Sequence, residues 1–135
     1  MALKRVVVTG LGALTPIGNN IEEYWNGLMN GVSGAAPITY FDASNFKTQF
    51  ACEVKNFNAE DFIDRKEARK MDRYSQYAMV SASEAMDDAN FNFDTLDLDR
   101  AGVIWGSGIG GLQTFQDEGT SFNQGNGTPK FNPFF

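Results

Sequence analysis

The segment Ala101-Gly102-Val103-Ile104-Trp105-Gly106-Ser107-Gly108-Ile109-Gly110-Gly111 joins a short apolar run to a glycine-rich loop. The apolar run predicts a buried strand, and the glycines predict a loop that packs closely against a ligand or another backbone. Ile109 is the large aliphatic residue of that loop, where a branched side chain can fill or gate a narrow apolar pocket. The same letters fit the G-x-G-x-x-G pattern of a dinucleotide site. An apolar pocket and a nucleotide site are therefore the two functions that this segment leaves open.

Predicted strands alternate with predicted helices along the rest of the chain. Three consecutive valines in residues 5–9 predict a buried first strand that enters the turn glycines Gly10 and Gly12. The further predicted elements are a helix from residue 21 to 29, a half-buried strand at 49–55, a long helix at 65–89 and a helix at 112–122. This alternation predicts an α/β fold with a partly parallel sheet. Because the strands are few, we expect the N-terminal piece of a larger domain.

Composition narrows the classes of function. The chain has 135 residues, of which 42% are hydrophobic and 21% are charged, as in one globular domain. No apolar run approaches the roughly 18 residues of a membrane span, and no signal peptide is apparent, so we expect a cytoplasmic protein. The single cysteine excludes an intrachain disulfide, and without histidine or a cluster at metal-ligand spacing we predict neither metal nor cofactor. A net charge of −6 disfavours nucleic acid as a partner.

Basic residues are concentrated in one stretch of this acidic chain. Five of the eleven lysines and arginines fall within residues 65–73. If this stretch is helical, its basic side chains form one positive face. The residues of that face are Lys66, Arg69, Lys70 and Arg73. Two interpretations stay open: a solvated helix face, and a docking surface for an acidic partner.

Nucleophilic and nucleotide chemistry are both disfavoured by local pattern. Cys52 lies within a strand pattern between Phe50 and Val54, with no histidine to activate it, and is predicted to be a buried structural cysteine. The first glycine loop has Thr15 where a dinucleotide fingerprint needs its third glycine. The second loop lacks the acidic residue about 20 positions downstream. A nucleotide-binding α/β oxidoreductase is therefore the weaker alternative.

Several motifs together resemble the β-ketoacyl–acyl carrier protein synthases. They are residues 5–12 with 16–18, residues 65–72, residues 106–112 and residues 130–135. The resemblance covers the whole chain in order, and isoleucine in the glycine loop favours the long-chain elongating type II members. It implies a thiolase-like fold, of which this chain is the N-terminal portion of a layered αβαβα architecture, and a homodimer. It also implies a decarboxylative Claisen condensation between an acyl-enzyme thioester and malonyl-carrier protein.

The resemblance assigns binding roles but no catalytic residue to this chain. The family's nucleophilic cysteine and two histidines have no counterpart here, so residues 1–135 are expected to precede the catalytic cysteine. Ile109 matches a residue that lines and gates the acyl pocket, and Phe135 an aromatic that reaches the acyl pocket of the dimer partner. Four basic residues match positions that meet the acidic carrier protein: Lys66, Arg69, Lys70 and Lys130. A further alternative is a non-catalytic carrier-binding module that functions at this length.

Overall fold

The structure is a computed structural model that describes residues 3–125 and residue 128. Its helices are α1 (Ile21–Met29), α2 (Arg65–Ala68), α3 (Arg73–Asp88) and α4 (Leu112–Gln124), and its strands are β1 (Ala36–Pro37) and β2 (Phe50–Ala51). Short 3₁₀ helices span Ala59–Asp61 and Leu98–Arg100. The chain divides into two compact units, a first unit of Met1–Asn58 with Val80–Leu96 and a second unit of Ala59–Met79 with Asp97–Phe135.

Helix α1 forms at the predicted residues 21–29. The side chain of Asn20 accepts a hydrogen bond from the backbone N–H of Glu23, which satisfies one of the free donors of the first turn. Two glutamates in that turn lie at the positive end of the helix dipole. Gly31 follows the helix with a φ of +64°, a conformation that glycine adopts without strain. The structure confirms the predicted helix, and the residues that begin and end it lie next to it in the chain.

The two predicted buried strands are not formed in the described part of the chain. Residues 5–9 and 101–105 have no ladder, and Val6 and Ile104 are 89% and 99% exposed. The ladder that does form is antiparallel and pairs Ala36 with Ala51 and Pro37 with Phe50, so the strand predicted at 49–55 has only two paired residues. An apolar run becomes a strand only when another strand satisfies its backbone N–H and C=O groups, and neither run has such a neighbour among the described residues.

The first unit is organised around the C-terminal half of α3. A Cβ atom added at Gly12 would overlap the carbonyl oxygen of Ser81, and one added at Gly10 would overlap that of Ala85. Only glycine allows this approach of backbone to helix. The turn glycines therefore pack against small residues of α3, Ser81 and Ala85.

Two carboxylates on α3 hold the same segment by its backbone. Glu84 accepts hydrogen bonds from the N–H of Ala13 at 2.8 Å and from that of Ile21 at 2.7 Å. One turn later, Asp88 accepts from the N–H of Leu11 at 2.8 Å. Bonds from backbone donors to ionised carboxylates are stronger than neutral ones. These contacts fix the first glycine turn and the start of α1 on one helix.

Candidate functional site

The basic segment (residues 65–73) is not one helix, as the long predicted helix required. Helix α2 covers only Arg65–Ala68, and Arg69 is its C-cap. The carboxylate of Asp64 caps α2 by accepting from the N–H of Lys66 at 2.8 Å. The backbone carbonyl of Asp72 accepts from the N–H groups of Ser75 and Gln76 and so begins α3 separately. The break follows from two separate helix starts, a side-chain cap at Asp64 for α2 and backbone bonds to the carbonyl of Asp72 for α3.

The basic side chains are nevertheless exposed in the second unit. Lys66, Arg69 and Lys70 all lie at the surface. The Nζ of Lys70 is 2.6 Å from the carboxylate of Glu67, a surface ion pair of the kind worth about 1 kcal/mol or less. Lys66 and Arg69 form no ion pair with any residue that the structure describes. The segment therefore presents positive charge to solvent although its helical geometry differs from the prediction.

An amide connects the end of α2 to the first turns of α3. The Nε2 of Gln76 donates to the carbonyl oxygen of Ala68 at 2.9 Å and to that of Met71 at 3.3 Å. Carbonyl groups at the end of a helix lack partners within the helix, so this side chain satisfies groups that would otherwise need water. The bend between the two helices is thereby fixed.

The glycine loop (residues 106–111) is held at its C-terminal end. A Cβ atom at Gly106 or Gly108 would meet nothing within 4 Å. A Cβ atom at Gly110 would lie 2.9 Å from the ring of Tyr74. Gly111 has a φ of +65° and is the N-cap of α4, which forms as predicted. Ile109 lies between the open and the anchored parts, and its side chain is 74% exposed.

Asp72 anchors this loop to the end of the basic segment. Its carboxylate accepts a hydrogen bond from the Oγ1 of Thr114, in the first turn of α4. A Cβ atom at Gly111 would lie 2.8 Å from the Oδ2 of the same carboxylate. The sequence did not indicate a contact between Asp72 and Thr114, because the two residues are 42 positions apart in the chain. The structure thus joins the Ile109 loop to the basic segment, which the sequence had left as separate motifs.

Asp72 also bears on the nucleotide alternative. A nucleotide phosphate binds at the N-terminus of the helix that follows the glycine loop, where backbone N–H groups and the helix dipole attract an anion. Here a carboxylate already lies at the first turn of α4. Its negative charge would repel a phosphate at that position. The geometry therefore favours a packing role for the loop over phosphate binding.

The remaining candidate residues have simpler outcomes. Cys52 is exposed, so its predicted burial is wrong, because it follows a strand of only two residues that covers little surface. Phe135 and Lys130 lie outside the described residues. Within residues 3–125 and 128, no group of three or more histidine, cysteine, aspartate or glutamate side chains could hold a metal ion. None of the described helices is long and apolar enough to cross a membrane.

Comparison with known proteins gives one consistent family. The family described as "Beta-ketoacyl synthase, N-terminal domain" matches residues 3–134. A protein of Synechocystis sp. named 3-oxoacyl-[acyl-carrier-protein] synthase 2 is 51% identical over 117 residues, which is 87% of this chain and 28% of that protein. The protein of the same name in Staphylococcus aureus strain COL is 51% identical over 113 residues, or 84% of this chain and 27% of that protein.

A solved structure supports the same fold. The chain is similar to the ishigamide ketosynthase/chain length factor, with a TM-score of 0.82 and 33% sequence identity. That likeness covers 98% of this chain and 33% of the solved one. The chain thus spans 28% of the length of the Synechocystis protein.

Proposed function

This chain belongs to the β-ketoacyl synthase family and has the α/β, thiolase-like fold of its N-terminal domain, and we propose that it is the N-terminal part of a 3-oxoacyl-acyl carrier protein synthase of the second type. The proposed reaction of the whole protein is a decarboxylative Claisen condensation. The malonyl unit on the carrier loses carbon dioxide, and its α-carbon forms a carbon–carbon bond with the carbonyl carbon of the acyl group. The carbon–sulfur bond of the acyl-enzyme thioester breaks, and the enzyme's thiol is released. The catalytic cysteine is proposed to follow residue 135.

The proposed role of the basic segment is to dock the acidic carrier protein. The relatives are named for an acyl carrier protein, which is the partner that this role requires. Support comes from three exposed basic residues, Lys66, Arg69 and Lys70, in a chain with a net charge of −6. Concentrated charge at the rim of an interface raises the encounter rate and orients the partner. Lys130 is proposed to extend this surface.

The proposed role of Ile109 is to line and gate the acyl pocket. Support comes from its position in the glycine loop. An added Cβ would have no neighbour within 4 Å at Gly106 and Gly108, whereas Gly110 and Gly111 lie against other side chains. A loop fixed at one end and open at the other can move a branched side chain into or out of a pocket. Phe135 is proposed to reach the acyl pocket of the second subunit in a homodimer.

The observation that carries the proposal is the junction of these two motifs at Asp72. A carrier that delivers an acyl chain must dock near the opening through which the chain enters. In the second unit, Asp72 lies near the end of the basic segment and bonds to Thr114, which follows the Ile109 loop. Docking surface and pocket loop therefore belong to one local structure, as the delivery of a tethered acyl chain requires.

Charge reversal tests the docking role in the whole synthase. Lys66→Glu, Arg69→Glu and Lys70→Glu combined should weaken carrier binding at low salt by roughly ten-fold or more, since each rim charge is worth up to about 1 kcal/mol. The difference from the native enzyme should shrink at high salt, because salt screens exposed charges. Calorimetric titration with the carrier measures both.

A matched variant controls for net charge. Lys4, Lys47 and Lys55 are exposed in the first unit, and reversing these three changes the total charge by the same amount. We expect this control to bind the carrier nearly as well as the native enzyme. Equal losses in both triple variants would reject the docking surface.

Substitution of Ile109 tests the pocket role. A phenylalanine at this position should shorten the acyl chains that the enzyme accepts, because its ring occupies volume that a long chain needs. The measurement is kcat/KM for octanoyl and palmitoyl primers. Ile109→Val, which does not add volume, serves as the control. A chain-length profile that Ile109→Phe leaves unaltered counts against the pocket role.

A further inference from the structure

We propose that Asp72 and Thr114 form a clasp, here called the loop clasp, that positions Ile109 and helps to set the length of acyl chain accepted. The inference rests on the proposed function of Ile109 and adds two positioning residues to it. Neither residue is proposed to touch the acyl chain or the reacting atoms. They act on the loop that carries Ile109.

The geometry of the clasp is that of one carboxylate between two helices. Asp72 directly precedes α3, where its carbonyl accepts from the N–H of Ser75 at 2.9 Å and from that of Gln76 at 3.0 Å. Its side chain accepts from the hydroxyl of Thr114 in the first turn of α4. Helix N-termini carry partial positive charge, so a negative group at the start of both helices is favoured. Asp72 and Thr114 are both partly buried, which limits competition from water.

The clasp acts on the residues that immediately follow Ile109. Gly111 lies against the carboxylate of Asp72, and Gly110 lies against the ring of Tyr74. Gly106 and Gly108 have no such contacts within 4 Å. The anchored end is therefore two residues or fewer from Ile109, and the clasp fixes where that side chain starts. Without the clasp, the contact between Gly110 and Tyr74 is the remaining anchor of this end among the described residues.

The clasp also lies next to the proposed docking surface. Lys70 precedes Asp72 by two residues, and Gln76 ties the end of α2 to the start of α3 through two hydrogen bonds. The backbone that presents the basic residues thus continues directly into the backbone that anchors the loop. Loss of the hydroxyl of Thr114 breaks the contact to the loop and leaves the basic residues in place.

Two variants of Thr114 in the whole synthase test the clasp. Thr114→Val is isosteric but has no hydroxyl, and Thr114→Ser keeps the hydroxyl. We expect Thr114→Val to change the palmitoyl-to-octanoyl ratio of kcat/KM by roughly five-fold, the change given by losing one net hydrogen bond. Thr114→Ser should restore the native ratio, and carrier affinity should be unchanged in both variants.

A second pair of variants guards against a Thr114 variant that folds poorly. Gly110→Ala places a methyl group 2.9 Å from the ring of Tyr74 and should displace the anchored end of the loop. Gly119→Ala, outside the loop on α4, adds the same methyl group in open space. We expect the chain-length ratio to change in Gly110→Ala and to stay native in Gly119→Ala.

The outcomes separate this inference from the function on which it rests. If Ile109→Phe leaves the chain-length ratio unaltered, the pocket role itself fails, and the clasp with it. If Ile109→Phe shifts the ratio while Thr114→Val and Gly110→Ala do not, only the clasp is overturned. A Thr114→Val enzyme whose kcat/KM falls equally for both primers would also overturn it, because that result indicates general destabilisation.

Discussion

An apolar run followed by glycines occurs twice in this chain, in a first segment at residues 5–12 and a second segment at residues 101–111. The glycines of the two segments have different contacts. In the first unit, Gly10 and Gly12 lie so close to α3 that a Cβ atom would overlap its backbone. In the second unit, Gly106 and Gly108 have no neighbour within 4 Å of such an atom. The first pair of glycines serves close packing, and the second serves an open loop. The pattern alone does not decide which use applies.

The two segments also differ in how they are held. Glu84 and Asp88, one turn apart on α3, accept hydrogen bonds from three backbone N–H groups in and after the first segment. The donors are Leu11, Ala13 and Ile21. In the second segment, the close contacts found at the glycines, within the part of the chain that the structure describes, are at the C-terminal end, with Asp72 and Tyr74. Several bonds to one helix fix the first turn, whereas fewer contacts of this kind hold the loop that carries Ile109.

The largest expected effect breaks the packing of the first segment. Gly12→Ala forces a methyl group into the carbonyl of Ser81 and should lower the free energy of unfolding by about 3 kcal/mol or more. Gly108→Ala is the matched change in the second segment and should cost no more than about 0.5 kcal/mol. Denaturant unfolding measures both. Similar costs at the two positions would abolish the distinction between the segments.

An intermediate effect removes the carboxylate that holds the first segment. Glu84→Ala leaves two partly buried N–H groups without an acceptor and should cost about 2 kcal/mol. Asp88→Ala removes one exposed bond and should cost less than about 1 kcal/mol. Unfolding curves of the two variants give the comparison. A Glu84→Ala protein as stable as Asp88→Ala would contradict the proposed clamp on the first turn.

A smaller effect sharpens the comparison at two left-handed glycines. Gly31 and Gly111 have φ values of +64° and +65°, so alanine costs about 1 kcal/mol of backbone strain at either. A Cβ at Gly31 meets nothing, whereas one at Gly111 lies 2.8 Å from the carboxylate of Asp72. We therefore expect Gly111→Ala to be the more destabilising. The reverse order in thermal unfolding would argue against the contact with Asp72.

The smallest effect concerns pH. Ser44 donates to the carboxylate of Asp42 from its backbone N–H and then from its hydroxyl, and these bonds hold the pKa of Asp42 below its ordinary value of 3.8. These bonds to the ionised carboxylate stabilise the turn at pH values above 3.8. The stabilisation is lost as the pH falls through the lowered pKa and the carboxylate is protonated. NMR titration should give a pKa of Asp42 that is closer to the ordinary value in the Ser44→Ala variant than in the native protein. An Asp42 pKa at or above 3.8 in the native protein would refute this.

Elements with local signals were predictable from the sequence. The cap at Asn20 and the glycines on either side of α4 lie within a few residues of the helices they define. The strands at 5–9 and 101–105 were not predictable in the same way, because a strand depends on a partner from elsewhere in the fold. The long predicted helix is divided between Ala68 and Arg73, because α2 and α3 begin separately, at Asp64 and at Asp72.

The candidate site was predictable in its parts but not in its assembly. The basic residues and Ile109 were identified from composition, spacing and resemblance. The bond between Asp72 and Thr114 had no sequence signal, since 42 residues separate them. Contacts of this kind depend on how the chain folds back and not on local propensity.

The division of the chain into two units has a practical consequence for spectroscopy. The chain has two tryptophans, and each unit holds one, Trp25 in the first and Trp105 in the second. Trp105 directly precedes the glycine loop. Replacing Trp25 by phenylalanine leaves a fluorophore whose emission follows the loop, and replacing Trp105 leaves one that follows α1. Intrinsic fluorescence can therefore follow the unfolding of each unit separately, without an added label.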